Sequence, residues 1–192
     1  MLTEKLKQLT AEPHLQLEQN YLLKSLISKT ITPEIYVLIL KKFYGYFYPL
    51  EKSLNKIPQI SYYLPDVNAR RKTSKLFDDL LFFDVLPEQI PFCDDLPGVA
   101  TVGEAMGVLY VMEGSTLGGT LIFRNLKEVL GVSETSGASF FYGYGNETGL
   151  RWKMFQQAVI GFGNQYHAQE EVIETAKETF TKLNIWFRQD EF

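Results

Sequence analysis

Residue types able to bind a metal or act as a nucleophile are scarce in this chain of 192 residues, which has two histidines and one cysteine. His14 lies in an amphipathic segment in which Leu17 and Leu22 are predicted to face a core, so its imidazole could reach inward. His167 lies in a polar run, which indicates a solvated helix face. Cys93 is interpreted as a small apolar residue near a loop, because a single cysteine forms neither an internal disulfide nor a thiolate metal cluster.

The segment 109–126, LYVMEGSTLGGTLIFRNL, has the apolar content of a buried helix but contains three glycines. Each glycine costs a helix roughly 0.5–1 kcal/mol relative to alanine, so something must offset the loss. With about 100° between successive residues, four glycines of this helix fall within one arc of about 60°. These are Gly103, Gly107, Gly114 and Gly118. The sequence therefore predicts a helix face that is nearly bare backbone.

Two explanations of this glycine face remain open. Small residues four positions apart let two helix backbones approach closely, so the face can be a helix–helix contact. Alternatively, a flat and rigid ligand lies against the backbone, and the adjacent pair Gly118 and Gly119 lets the helix bend around it. Haem is such a ligand, and histidine is the commonest axial ligand of its iron. The two histidines, His14 and His167, are then the candidate ligands.

Helical patterns cover nearly the whole chain, and no repeat and no convincing period-two alternation interrupts them. The first helix begins near Leu2 and is expected to kink or restart at Pro13. The next begins at the cap Thr32 and runs to about Asn55, and Pro49 is expected to bend or break it. The architecture is predicted to be a single all-α helical bundle over residues 1–192. Loops are predicted at 58–66 and 87–98, and further helices at about 67–83, 101–130 (closed by Gly131), 146–162 and 165–187.

Composition argues against several classes of partner. The net charge of −4 gives no general affinity for nucleic acid or anionic lipid, because such binding depends on clustered Lys and Arg. The first ten residues, MLTEKLKQLT, lack the apolar core of a secretory signal. No later stretch approaches the roughly 20 apolar residues of a membrane span. We therefore expect a cytoplasmic protein that binds neither nucleic acid nor membrane.

Three blocks of the chain resemble, in the same order, the haem oxygenase family. Residues 6–18, LKQLTAEPHLQLE, resemble its amino-terminal signature, in which a lysine and a threonine precede the iron-binding histidine. Residues 109–119, LYVMEGSTLGG, resemble the distal helix of bacterial members that often accompany bacteriophytochromes. Residues 140–152, which contain Gly143-Tyr144-Gly145 and Trp152, are similar to the segment that follows in those proteins. The three blocks together span most of the chain.

The resemblance implies an all-α fold of the haem oxygenase type with a kinked, glycine-rich distal helix. It also implies that haem is both cofactor and substrate, and that O₂ opens it to biliverdin, carbon monoxide and ferrous iron. Electrons would come from a separate ferredoxin or reductase, because the chain has no glycine-rich nucleotide fingerprint. A bacteriophytochrome is an implied further partner.

The resemblance also assigns roles to individual residues. His14 would bind the iron on the proximal side, and the distal helix would cover the opposite face with residues that take part in catalysis: Gly114, Ser115, Gly118 and Gly119. Haem propionates need cations, and the family places basic residues near the start of the chain and on the later helix. The basic residues implied in this way are Lys7, Arg151 and Lys153. The resemblance also implies that Tyr110, besides His14, binds the haem.

The chain departs from the better-known eukaryotic pattern at two places. Gln156 and Gln157 stand where a further arginine is expected, and the distal aspartate that organises water has Ser115 as its nearest counterpart. A non-catalytic haem-binding or degenerate member of the family is therefore a second interpretation.

Two other classes are less consistent with the residues. A di-iron oxidase needs Glu-x-x-His pairs, but Ala11 and Asn164 stand three residues before the two histidines. A thiaminase-like hydrolase would use Cys93 as nucleophile, and the sequence offers no nearby base.

Overall fold

The computed structural model describes residues 1–189, and this part of the chain consists of nine α-helices, four short 3₁₀ helices and the loops between them. The all-α prediction is confirmed. Residues 190–192, the end of the predicted domain 1–192, lie outside the described residues. The α-helices are α1 (Leu2–Leu9), α2 (Ala11–Glu18), α3 (Tyr21–Ser25), α4 (Pro33–Leu54), α5 (Thr73–Phe82), α6 (Val102–Leu130), α7 (Ser139–Tyr142), α8 (Thr148–Gln165) and α9 (Gln169–Arg188). The 3₁₀ helices cover Pro58–Tyr62, Val67–Arg70, Pro87–Gln89 and Gly145–Glu147.

Helix α6 has the boundaries that its local signals predict. The Thr101 hydroxyl accepts a hydrogen bond from the Glu104 amide at 3.1 Å, and the Glu104 carboxylate accepts one from the Thr101 amide at 3.0 Å. This reciprocal pair satisfies amides that have no partner within the helix. Gly131 ends the helix in the left-handed conformation, with φ of 70°. The helix continues through Gly118 and Gly119 without interruption, and a bend at that pair stays a prediction.

A helix restarts next to Pro13, which is one of the two predicted outcomes, whereas Pro49 lies within a continuous helix and a bend there stays a prediction. The first helix ends at Leu9, and α2 restarts at Ala11, so that Pro13 lies in the first turn of α2, where a proline is tolerated. Pro49 does not break α4. Because Pro49 has no amide, the Gly45 carbonyl loses its helical donor, and the Cys93 amide donates to it instead at 3.0 Å.

The helix predicted at 67–83 is wrong in its first part, because a 3₁₀ turn covers Val67–Arg70 and α5 begins only at Thr73. The side chains of Arg70 and Lys72 are both buried, and both donate to the carboxylate of Glu113. Residues two positions apart in an α-helix point in different directions. A continuous helix could not bring both cations to one carboxylate, so the irregular turn is the geometry that this contact requires.

Helix α6 forms the centre of the fold. It packs against α9, α8 and α7, and its first half contributes Ala105, Met106 and Val108 to the core. By length and composition α6 could also cross a membrane, and among the described residues no other helix could. More than half of its apolar stretch is buried inside the protein, as in the core helix of a globular fold. The long packed helix gives the site described below a rigid wall.

Candidate functional site

The glycine face of α6 divides into two parts with different surroundings. At Gly107, an added Cβ would lie 2.6 Å from the Val172 carbonyl oxygen and 2.7 Å from the Cβ of Thr175, both on α9. At Gly103, a Cβ would overlap the carboxylate of Glu171. The first part of the face is therefore a close contact between α6 and α9, as the packing explanation predicts.

The second part of the face is open. An added Cβ at Gly118 would meet no atom within 4 Å, and at Gly114 it would meet only the Trp152 ring, at 3.7 Å. No neighbouring backbone therefore requires a glycine at these two positions. Gly119 differs from both, because a Cβ there would lie 2.5 Å from the Phe141 carbonyl oxygen, so this glycine permits the contact with α7. The ligand explanation consequently applies to Gly114 and Gly118.

Exposed apolar side chains lie beside the open part of α6. At 100° per residue, Leu121 falls on the same face as Gly114 and Gly118, and Leu117 falls at its edge. Both leucines are exposed, Leu121 at 63 %. A concentration of exposed apolar groups next to bare backbone is typical of a surface that binds a hydrophobic ligand.

His14 lies on α2 with its imidazole against α9. Its ring meets the Phe180 ring edge to face, with the centroids 5.2 Å apart. The side chain is 50 % exposed, and its Nε2 lies 3.7 Å from an oxygen of Glu18. Leu17 and Leu22 are buried as predicted. The imidazole itself is accessible to solvent, in contrast to the expectation that it could reach inward.

Two contacts place the segment that carries His14 along the open part of α6. The side chain of Thr10, just before α2, lies next to the hydroxyl of Tyr110 on α6. Further along, the Asn125 side chain donates to the carbonyl oxygens of Leu26 and Ser28 at 3.0 and 2.9 Å. Gly114 and Gly118 lie between Tyr110 and Asn125 on α6, and His14 lies between the corresponding contact points on the amino-terminal segment. The fold therefore brings both predicted elements to one side of the molecule.

Tyr110 is partly buried and joins the amino-terminal segment to α8. Its ring packs against the Trp152 ring with centroids 5.6 Å apart. Burial raises the pKa of the Tyr110 hydroxyl, and the neighbouring Thr10 side chain only partly offsets this shift. The hydroxyl therefore stays protonated across the physiological range.

The predicted cationic residues fall into two groups. Lys7 on α1 and Lys153 on α8 are exposed, and neither forms an ion pair with any described residue. Arg151 instead binds carboxylates on both sides, Asp66 at 2.9 Å and Glu147 at 3.2 Å. Its guanidinium also lies over the Tyr144 ring, 5.4 Å from the centroid. The structure thus leaves the two lysines available to an anionic ligand and engages the arginine elsewhere.

Three further predicted residues have well-defined surroundings. Ser115 is exposed, and its hydroxyl donates to the Met112 carbonyl oxygen at 2.8 Å, on its own helix. His167 is exposed, but it lies in the turn between α8 and α9 with φ of 52°, so its prediction on a helix face is wrong. Cys93 is buried next to a loop, as predicted, and burial raises the pKa of its thiol to about 11. Such a thiol is a poor nucleophile at neutral pH.

A buried charge cluster centred on Glu113, the residue before Gly114 on α6, was not predicted from the sequence. This side chain is 1 % exposed, and its carboxylate accepts hydrogen bonds from Arg70 at 2.5 Å, Lys72 at 2.7 Å and the Tyr144 hydroxyl at 2.7 Å. A glutamate inside an otherwise apolar helical run is the signal that could have revealed it, because a buried carboxylate needs partners.

The few possible ligands near the open face suit a metal ion that a macrocycle already coordinates at most of its positions. Within residues 1–189, no group of three or more His, Cys, Asp or Glu side chains is placed to hold a metal ion. A lone accessible imidazole, an open wall of glycine backbone and neighbouring exposed leucines fit a planar macrocycle with one free axial position on its metal. The residues present therefore fit haem.

Comparison with known proteins gives a consistent result. The family model described as "Heme oxygenase" matches residues 1–189. The heme oxygenase of Neisseria meningitidis, solved with NO and CO bound, superposes with a TM-score of 0.83 at 22 % identity, over 98 % of this chain and 90 % of that one. The heme oxygenase of Leptospira interrogans gives 0.79 at 16 % identity, over 97 % and 98 % of the two chains. Heme oxygenase-1 of the cyanobacterium Synechocystis, solved in complex with heme, gives 0.73 at 16 % identity, over 97 % and 90 %. The search of curated protein sequences returned no match.

Proposed function

The chain belongs to the haem oxygenase family, and from this premise we propose that it binds haem between α2 and the open face of α6 and opens the macrocycle oxidatively. The products would be biliverdin, carbon monoxide and ferrous iron, formed with O₂ and with electrons from a separate ferredoxin or reductase. The observation that carries the proposal is that Gly114 and Gly118 are helical glycines that no neighbouring backbone requires. Bare backbone on the side of α6 along which the segment carrying His14 runs permits the close approach of a flat ligand.

His14 is the proposed axial ligand. A neutral imidazole nitrogen donates its lone pair to iron, so the side chain must be accessible and uncharged when it binds. Its half exposure meets the first condition. Contact with the Phe180 ring restricts the orientation of the imidazole, and this lowers the entropy lost on binding.

The distal wall would act through the absence of side chains. Haem supplies the iron at which O₂ is reduced, and the protein determines what surrounds that oxygen. Between Gly114 and Gly118, the Ser115 hydroxyl donates to its own helix and is not free to protonate a ligand. A wall without a strong side-chain acid disfavours O–O cleavage of the peroxidase type. Protons for the reaction would then come from water against the glycine backbone.

Lys7 and Lys153 are the proposed partners of the haem propionates. Helix α1 packs against α8, and an added Cβ at Gly163 would meet the side chain of Leu2, so the two lysines lie on neighbouring helices. A propionate could pair with either lysine without displacing an existing ion pair. Arg151 would first have to leave Asp66 and Glu147, so we assign it a smaller role. Tyr110 would contact the haem from the α1–α2 junction.

The proposal is tested by adding hemin to the purified protein and following the visible spectrum during reduction with ascorbate. We expect a Soret band that decays while a broad red absorption of a bilin grows. His14→Ala should lose axial ligation and turnover, whereas His167→Ala, which removes the other exposed histidine, should behave as the wild type. Normal haem degradation by His14→Ala would refute the ligand assignment, and a wild type that never binds hemin would refute the function.

A second candidate function is haem binding without catalysis. It is favoured by one observation: the hydroxyl of Ser115, the nearest counterpart of the distal aspartate of the better-known enzymes, donates to its own helix. In that case, hemin would bind through His14, but the Soret band would not decay and no bilin absorption would appear after ascorbate is added. The same spectra therefore separate the two functions.

Two expectations from the family resemblance complete the proposal. We propose a cytoplasmic location and, as a partner that would use the bilin, a bacteriophytochrome. Co-purification of the chain with such a photoreceptor, together with bilin loading of that photoreceptor in the presence of hemin, would test the second.

A further inference from the structure

The cluster around Glu113 joins the two elements that border the open face. Arg70, at the end of a 3₁₀ turn, donates to Glu113 on α6 at 2.5 Å and to the Arg151 carbonyl oxygen on α8 at 3.1 Å. The Tyr144 hydroxyl donates to Glu113 at 2.7 Å from the segment that leads into α8. Arg70 thus bridges α6 and the first turn of α8, and Tyr144 links α6 to the chain just before α8.

The residues that follow these anchors form the distal wall. Gly114 follows Glu113 on α6, and Trp152 follows Arg151 on α8. The Trp152 ring lies 3.7 Å from the position of an added Cβ on Gly114. On each helix, the residue that lines this contact is the neighbour of a residue in the cluster. The cluster therefore sets the separation between the Gly114 backbone and the Trp152 ring.

The charges in the cluster make its geometry hard to change. The side chains of Arg70, Lys72 and Glu113 are at most 5 % exposed. Burial lowers the pKa of Lys72, and Glu113 opposes that shift. For Arg70, the carboxylates of Asp66 and Glu113 outweigh the effect of burial and raise the pKa. Removing the carboxylate would leave two buried cations short of a partner, so the cluster holds α6 in one position.

We propose that Glu113 and Tyr144 are positioning residues for haem oxidation, which hold the Gly114 turn of α6 at a fixed distance from the α8 wall. Glu113 lies about 100° around α6 from Gly114, and neither residue touches a reacting atom. This inference rests on the proposed function, since it assigns a purpose to the position of the wall. It predicts that loosening the cluster changes local opening at the wall and the ring position at which haem is opened.

The test compares two variants that each lose one partly or fully buried tyrosine hydroxyl. Tyr144→Phe removes one of the three donors to Glu113 and also the acceptor of a hydrogen bond from Lys72 at 2.7 Å, and it keeps both ion pairs of Glu113. Tyr36→Phe is the matched control, because the Tyr36 hydroxyl donates to the Gly137 carbonyl oxygen at 2.8 Å and has no part in the cluster. Glu113→Gln is a stronger variant that keeps the side-chain shape and removes the charge.

The first measurement is amide hydrogen exchange of the haem-free protein. In Tyr144→Phe, peptides covering 110–118 and 148–153 should exchange at least about fivefold faster, the factor expected for one lost hydrogen bond, and other helices should be unchanged. Tyr36→Phe should leave both peptides at the wild-type rate. Equal exchange in Tyr144→Phe and the wild type at these peptides would overturn the proposal. This result does not depend on haem turnover.

The second measurement is the distribution of biliverdin isomers from wild type, Tyr144→Phe and Tyr36→Phe. We expect the distribution to broaden in Tyr144→Phe only. An unchanged distribution in Tyr144→Phe, with an active wild type, would overturn the positioning role and leave the proposed function intact. If Glu113→Gln does not fold, the comparison of Tyr144→Phe with Tyr36→Phe still tests the positioning role. A wild type that makes no biliverdin refutes the proposed function instead, and the exchange result then stands alone.

Discussion

Substituting Gly118 by alanine separates the ligand explanation of the glycine face from the packing explanation. The position is exposed, lies within α6, and an added Cβ meets no atom within 4 Å. An alanine in an exposed helix gains about 0.5–1 kcal/mol over glycine. For a protein of this size, the gain corresponds to a rise in Tm of about 1–4 °C. Gly118→Ala should therefore make the haem-free protein more stable.

The same methyl group should weaken haem binding and turnover. If the macrocycle lies against the backbone at Gly118, the added carbon overpacks a flat contact, which costs about 1–3 kcal/mol. Such a cost corresponds to at least about fivefold weaker binding. A single substitution would then stabilise the fold and impair the function.

The assay pairs thermal unfolding of the haem-free protein with a hemin titration and ascorbate-driven bilin formation. Gly161→Ala is the matched control, because Gly161 is an exposed glycine within α8 whose added Cβ also meets nothing within 4 Å. It should raise the Tm by a similar amount and leave the titration unchanged. A Gly118→Ala variant that is less stable, or that binds and degrades haem as the wild type does, would refute the reasoning.

Two further predictions concern stability. Gly107→Ala should lower the free energy of unfolding by about 1–2 kcal/mol in urea denaturation, because the overlap with the Val172 carbonyl outweighs the gain in helix propensity; a stabilised variant would contradict the close α6–α9 contact. For Asp66, burial alone would raise the pKa of the carboxyl, but Arg70 and Arg151 outweigh it and hold that pKa below the usual 3.8. A lowered folded pKa stabilises the protein above the unfolded value and loses that effect as pH falls through the folded one. Asp66→Asn should thus be less stable than the wild type at pH 7, with a difference that shrinks below about pH 3.8 in urea denaturation; a difference that stays constant with pH would argue against these ion pairs.

Local signals in the sequence predicted the elements that depend on neighbouring residues. The cap Thr32 and the terminal Gly131 gave the start of α4 and the end of α6 within a residue or two, because each satisfies or ends a helix with groups a few positions away. The identification of His14 and of the glycine face came from short motifs and from helical periodicity. Those features are contained in about one helical turn on either side of each residue.

Contacts between distant residues decided the remaining features. Periodicity places Gly107 and Gly118 on one face of α6, but only the packed α9 shows that the first is a helix contact and the second is open. In the same way, the start of α5 and the pairing of Arg151 depend on carboxylates far along the chain, at Glu113 and Asp66. A residue's angle around its helix is a local property of the sequence. What lies opposite that residue depends on how segments distant in the sequence pack, and this requires the tertiary structure.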